Sequence, residues 1–306
     1  MEHDQVTEST IDIKMSVGAA TDIGGRAENE DAILVRLLDP IGVGPGSQQA
    51  GYLLAVADGM GGHEGGEIAS RLAIEILDGT FKEAAEPDVA ATMKTAFRRA
   101  NARIFAEGSG AGDSTSMGTT LVACAVRGKY ATIASVGDSR AYLVRANRLT
   151  QITQDHTLVA QQLAQGELTP EQAKRSPARN QLMYALGHRE RLHSSMPSIF
   201  EVTLLPEDRL FLCSDGFYDV VEDGDIVDTV GRLEPDDAAK ALTTLATERN
   251  TTDNVSAIVL EAAPTRIVIA PVPTPAIASG RPILLPILAA IVVLAILAVV
   301  LYLTVL

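Results

Sequence analysis

The chain has 306 residues, 46% of them hydrophobic, no Trp, and a formal net charge of −14. That is enough apolar material for one large domain or two small ones. The acidity speaks against a general nucleic-acid binder, because phosphate backbones are held by clustered Lys and Arg; it fits a soluble acidic surface or, in a sharper reading that only the positions of the carboxylates can show, a set of metal ligands.

The opening MEHDQVTEST is polar and acidic, reads as a flexible tail over 1–10, and is expected not to be an export signal, since it lacks a basic start and an apolar stretch. Strand-like runs follow at 12–20, 32–38 and 51–57, the last two joined by the Gly-rich IGVGPGSQQA. The period then changes. Ile68, Leu72, Ala73, Ile76 and Leu77 share one helical face, and Val89, Met93, Phe97, Ala100 and Ile104 share another, with Asp88 as N-cap. Strands return at 119–126, 131–136, 141–145 and 149–152. In the mixed segment beyond, Thr169-Pro170-Glu171-Gln172 predicts a helix start with a capping box and Pro at the first helical position. Strands at 199–205, 209–213 and 255–260 bracket two helical stretches between 222 and 248. Clusters of strands separated by helix pairs predict an α+β layered domain and not a βαβ parallel sheet. Cys124 and Cys213 lie in apolar runs and read as core thiols in a reducing compartment.

Residues 263–282 contain Pro264, Pro271, Pro273 and Pro275 and read as an extended linker. Residues 283–306 carry no charge. As a helix they would be about 36 Å long, enough to cross a hydrocarbon core of about 30 Å. A transmembrane helix is therefore expected, and Arg266 and Arg281 before it favour a cytoplasmic catalytic domain.

The chemistry is suggested by aspartates placed where strands meet glycine turns. Asp31 closes Gly25-Arg26-Ala27-Glu28-Asn29-Glu30-Asp31, Asp58-Gly59 follows an apolar strand in AVADGMGGHEGGE, and Asp138 follows one in SVGDSRAYLV. Asp215-Gly216 follows another in LFLCSDGFYDV, and Asp253-Asn254 precedes the last in TTDNVSAIVL. A lone Asp-Gly is more often a turn than a ligand. Several at strand ends can converge on hard cations such as Mg2+ or Mn2+, which prefer oxygen. The histidines and cysteines show no zinc spacing.

In order, these blocks resemble the signatures of the protein phosphatase 2C family over roughly residues 12–261. The resemblance rests on Arg-x-x-x-Glu-Asp, Asp-Gly-x-Gly-Gly, GTTLVA, Gly-Asp-Ser-Arg, Asp-His-Thr, Ser-Asp-Gly and Asp-Asn, and DGMGGHEGGE is similar to the bacterial branch. It implies a catalytic domain over 11–262, built as a four-layer α-β-β-α sandwich of two antiparallel sheets flanked by helix pairs, with a flap at 156–193. It implies two bridging Mn2+ or Mg2+ ions and room for a third. Asp58 would bridge the pair, the Gly59 carbonyl would complete one shell, and Asp31, Asp215 and Asp253 would supply the other protein ligands, with Glu30 beside Asp31. Asp138 would join Asp215 around the third ion, and Arg26 would bind the substrate phosphate. The implied reaction is hydrolysis of phosphoserine and phosphothreonine in proteins by a hydroxide bridging two metals, opposing a bacterial Ser/Thr kinase.

One departure stands out. Many eukaryotic members have His after Asp-Gly, where this chain has Met60, which cannot donate a proton. His63 is expected to start a helix, and a water on the metal is the preferred acid. His156 reads as structural. Arg175, Arg179, Arg189 and Arg191 make the flap locally basic, which suits either phosphorylated loops or a solvated face. The competing readings are an inactive, membrane-tethered phosphoprotein-binding scaffold and a phosphatase dedicated to one regulatory partner.

Overall fold

A computed structural model describes residues 13–39, 51–61, 64–84, 88–110 and 117–264. The strands are β1 (Ile13–Asp22), β2 (Asp31–Leu38), β3 (Gly51–Met60), β4 (Gly118–Thr119), β5 (Leu121–Arg127), β6 (Tyr130–Val136), β7 (Arg140–Arg145), β8 (Arg148–Gln151), β9 (Ser198–Thr203), β10 (Arg209–Cys213) and β11 (Val255–Pro264). The helices are α1 (Gly65–Glu83), α2 (Val89–Gly110), α3 (Leu158–Ala164), α4 (Pro170–Lys174), α5 (Asp215–Tyr218), α6 (Asp223–Arg232) and α7 (Pro235–Glu248). One sheet runs β1-β11-β10-β7-β8 and the other β2-β3-β5-β6-β9, with β4 paired to β3 and every ladder antiparallel.

The central strands are apolar at nearly every position because both of their faces are covered. Along β3, Leu53, Ala55 and Ala57 meet α1 and α2 through Ala69, Leu77, Met93 and Phe97. The alternate residues Leu54 and Val56 turn inward with Val122 and Cys124 to meet Leu210, Leu212, Ile258 and Leu260 of the other sheet. On the far side Phe211, Cys213, Ala257 and Val259 pack on Ile226, Val230, Leu242 and Ala246 of α6 and α7. A strict two-residue period thus supplies two cores per sheet. The result is helix pair, sheet, sheet, helix pair.

Local signals match the elements. The Asp88 carboxylate accepts from Ala91 N at 3.0 Å, and Thr169 and Gln172 close the reciprocal box at the start of α4. Burial pushes the Cys124 thiol up to about 12, as expected of an inert core cysteine. Two boundaries differ from the sequence reading. β11 continues to Pro264, with Ala263 opposite Lys14 and Pro264 opposite Ile13, because its partner β1 extends equally far. Asp215-Gly216 opens the single-turn helix α5 rather than a simple turn.

Among the described residues no helix is long and apolar enough to cross a membrane. The tail expected at 1–10, His63, the linker from 265 onward and the span expected at 283–306 lie outside the described residues.

Candidate metal centre

Strand register, not sequence proximity, assembles the site. Asp31 begins β2 directly opposite Asp58 near the end of β3, and Thr120 N donates to Asp58 O at 2.9 Å, so the β2–β3 and β3–β5 pairings bring the first two aspartates to one sheet end. In the other sheet, Asp138 precedes β7, Asp215 follows β10 and Asp253 precedes β11, at the same end of the sandwich.

Each acid is held by local hydrogen bonds. Asp31 Oδ2 accepts from Ser214 Oγ at 2.8 Å and Ser256 Oγ at 2.7 Å. Thr119 and Thr120, from the GTTLVA segment, fasten Asp58: Thr119 Oγ1 donates to its carbonyl at 2.8 Å and Asp58 N donates to Thr120 Oγ1 at 3.1 Å. The Asp138 carbonyl accepts from Tyr218 Oη at 3.1 Å. Gly59 N donates to Glu30 O at 3.1 Å, and a Cβ on Gly59 would stand 2.2 Å from Gly66 O, so only glycine lets the Glu30 loop and the start of α1 close around this turn.

The electrostatics are those of crowded carboxyls. Burial, then the neighbouring Asp215 and Asp253, raise Asp31 to about 7. Burial and Asp215 raise Asp138 to about 8, and burial and Asp253 raise Asp215 to about 6. Asp58 lies well above the usual carboxylate range, through burial and then the charges of Asp215, Asp31 and Asp138. Asp58 and Asp215 are close enough that each perturbs the other's ionisation. As whole residues Asp31, Asp58 and Asp215 are half-buried, yet Asp31 Oδ1 and Asp215 Oδ1 are shut off from solvent with no hydrogen-bond partner among the described residues.

This donor set fits hard divalent cations. Orphaned carboxylate oxygens are costly and ordinarily find a partner, and every available ligand is oxygen. Among the described residues no three His, Cys, Asp or Glu side chains already close around one point.

The other predicted positions are also at this end. Arg26 is half-exposed, with Nη2 2.6 Å from Asp253 Oδ2 and Nε 3.2 Å from Thr252 O. Its guanidinium therefore leans on a predicted metal ligand. Glu30 is raised by burial first, only partly relieved by Arg26, and its carboxylate lies beside Gly66. Met60 pairs with Gly118. His156 is structural: its Nδ1 accepts from Gly137 N at 3.1 Å, its Nε2 meets Ser198 Oγ at 3.0 Å, and burial lowers its pKa, keeping it neutral.

Several organising residues were not singled out from sequence. Asn254 is buried and clips the Arg26 loop, its Oδ1 accepting from Glu30 N and its Nδ2 donating to Ile23 O and Glu28 O, each at 2.9 Å. Arg140 makes a forked pair with Asp155 and stacks 3.4 Å from the Tyr218 ring centroid, joining β7, α5 and the segment that precedes α3. Both residues sit in the quoted Asp-Asn and Gly-Asp-Ser-Arg blocks, so their positions were visible but their partners were not. Within residues 156–193, expected as a flap, Arg179 pairs with Asp219 at 3.1 Å, and Asn101 of α2 holds Gly187 N and the carbonyls of Arg189 and Glu190.

A profile described as Protein phosphatase 2C matches residues 42–255. The chain belongs to the protein phosphatase 2C family. It is similar to the serine/threonine protein phosphatase PstP of Mycobacterium tuberculosis, 37% identical over 236 residues, which is 77% of this chain and 42% of that protein. The chain thus spans less than half the length of this relative. It is also 34% identical to the serine/threonine phosphatase stp of Listeria welshimeri over 214 residues, 68% of this chain and 84% of that one. Among solved structures, the PstP catalytic domain in complex with two manganese ions superposes with a TM-score of 0.68 at 33% identity, covering 82% of this chain and 99% of that one. Membership of the protein phosphatase 2C family agrees with the two antiparallel sheets and helices seen in this fold.

Proposed function

We propose that this protein is a metal-dependent phosphatase that hydrolyses phosphoserine and phosphothreonine in proteins. The observation that carries this reading is the group of four raised carboxyls, Asp31, Asp58, Asp138 and Asp215, with two solvent-inaccessible oxygens left unpartnered at one end of a protein phosphatase 2C sandwich. Asp58, Asp31, Asp215, Asp253 and the Gly59 carbonyl would hold two Mn2+ or Mg2+ ions, and Asp138 with Asp215 a third. When bound, these ions supply a water acidified for attack at neutral pH and positive charge for the phosphoryl oxygens.

This chain's own residues do the rest. Arg26 receives the phosphate with its forked donors, exchanging its contact with Asp253 for contact with substrate. Asn254, through Glu30, Glu28 and Ile23, keeps that loop in place. Met60 has no proton to give and His156 is committed to Gly137 and Ser198, which leaves His63 or, as the preferred donor, water to supply the proton of the leaving alkoxide.

The uncharged run 283–306 would anchor the chain in a membrane, with the catalytic domain cytoplasmic on the side of Arg266 and Arg281. Its substrates there would be those of a Ser/Thr kinase. The scaffold alternative would need a damaged ligand set, and none of the expected acids is missing. Full-length protein incubated with phosphoserine and phosphothreonine peptides tests the reading. Mn2+ should support release of phosphate and EDTA should abolish it. Peptide binding without phosphate release in Mn2+ would favour the scaffold.

A further inference from the structure

The end of the sandwich opposite the carboxyls has its own character. In register it carries Leu38, Gly51, Arg127, Tyr130 and Thr203 of one sheet and Ile13 opposite Pro264 of the other. Three large apolar side chains are bare there: Tyr130 is 62% exposed, Leu37 58% and Leu205 48%. Leu204 N donates to Lys129 O at 2.7 Å, tying the Leu205 turn to the Tyr130 hairpin. Leu37 and Tyr130 stand three strands apart, about 14 Å at the usual strand spacing. Leu37 neighbours Leu38 of the helix-side core and Tyr130 neighbours Ala131 of the inter-sheet core, so these apolar groups are separate points spread over both faces of this sheet end.

Its charges are mixed but accessible to an anionic partner. Lys14 and Lys129 are exposed, and the Lys129 ammonium lies 5.7 Å from the Tyr130 ring centroid. Asp208 is already paired with Arg145 at 2.5 Å, leaving Glu207 as an exposed acid of that turn, and Asp39, next to Leu38, is a second exposed acid at this end. β11 leaves the sheet at Pro264 on this same end, and the sequence then runs through Arg266 and Arg281 into the uncharged stretch 283–306.

We propose that this end is a lipid-docking surface. Tyr130, Leu37 and Leu205 enter the headgroup boundary of an anionic bilayer, Lys14 and Lys129 meet lipid phosphates, and the carboxyl end faces away from the membrane. Tyr suits such a boundary because its ring is apolar and its hydroxyl stays wet, and lysines add attraction to anionic headgroups. The inference rests on the membrane reading of 283–306 and deepens it: the site would open toward partners in solution or on domains that stand off the bilayer.

The chain contains no Trp, so one substitution creates a single emitter. Full-length Tyr130→Trp protein is reconstituted in phosphatidylcholine–phosphatidylglycerol vesicles, with and without bromine near the headgroup end of the acyl chains. Its emission should be mostly lost to brominated lipid, and Leu205→Trp should behave alike. Leu163→Trp, on α3, should keep its emission. A vesicle-bound chain whose Tyr130→Trp and Leu205→Trp emissions both survive overturns the docking surface and leaves the anchor standing. Equal quenching of Leu163→Trp overturns the orientation. Failure of the chain to float with vesicles at all overturns the anchor, and the docking surface with it.

Discussion

Asp31 and Asp58 stand directly opposite one another across the β2–β3 ladder. Like charges in that position ordinarily destabilise a sheet. Here the pair is kept, and both carboxyls are held above their usual range by burial first, then by Asp215 and Asp253 for Asp31 and by Asp215, Asp31 and Asp138 for Asp58. The arrangement makes sense as a site whose stability depends on incoming positive charge.

The metal-free fold should accordingly lose stability as pH rises. A carboxyl whose folded pKa is raised adds no penalty below its unfolded value near 4, where both states are protonated. As pH climbs, the unfolded chain ionises first, and the penalty grows until the folded groups, at about 6 for Asp215, about 7 for Asp31 and about 8 for Asp138, have ionised too. Ions compete with those protons, so stabilisation by Mn2+ should be larger at pH 8 than at pH 6. At about 100 times Kd the gain is ~2.7 kcal/mol, or roughly 5–10 °C in Tm for a domain of this size. Thermal melts with Mn2+ or EDTA at the two pH values check this; an equal shift at both would remove the link to the carboxyls.

Asp58→Asn should abolish most turnover and at the same time stabilise the metal-free protein at pH 8. The amide cannot ionise, so it relieves the repulsion that the carboxylate endures. Asp215→Asn should act alike. Met60→Ala, on the same strand as Asp58, should be mild in turnover because Met60 offers no proton. Turnover and EDTA melts on the three variants measure both effects, and a Met60→Ala loss as deep as that of Asp58→Asn would count against the roles given to this loop.

Arg26→Ala should raise KM for phosphopeptides more than it weakens Mn2+ binding. A charge-assisted contact to phosphate contributes ~1.5–3 kcal/mol, about tenfold to a hundredfold in kcat/KM. Arg26 also rests on Asp253, so a small change in metal affinity is expected from the freed carboxylate. Steady-state kinetics alongside Mn2+ titration separate the two, and unchanged kinetics would leave Arg26 a surface residue.

Asn254→Ala should destabilise the fold by about 2–4 kcal/mol, since three hydrogen bonds to a buried amide are lost and their backbone partners are left unmatched. Gly24, at φ +55 with Asp253 O 2.0 Å from a would-be Cβ, shows how closely this loop lies on the Asp253 segment. Denaturant melts give the stability, and hydrogen exchange over residues 23–30 should rise specifically.

The sequence by itself determined the layered α+β class, the helix starts at Asp88 and Thr169, and the aspartates at strand ends, because capping chemistry and hydrophobic period act over a few residues. It also marked residues 283–306 as uncharged, a property of composition alone. Only the tertiary structure decided that Asp31 faces Asp58, that Ser214 and Ser256 grip Asp31, that Asn254 reaches back to Glu30, and that Arg140 joins Asp155 to Tyr218. Those contacts span long stretches of chain, and a period-2 pattern says which face a residue takes but not which strand lies beside it. The raised carboxyls follow for the same reason. Burial and like charge are set by what surrounds an acid in space, and four ordinary Asp-x motifs become one strained site only when two sheets bring their ends together.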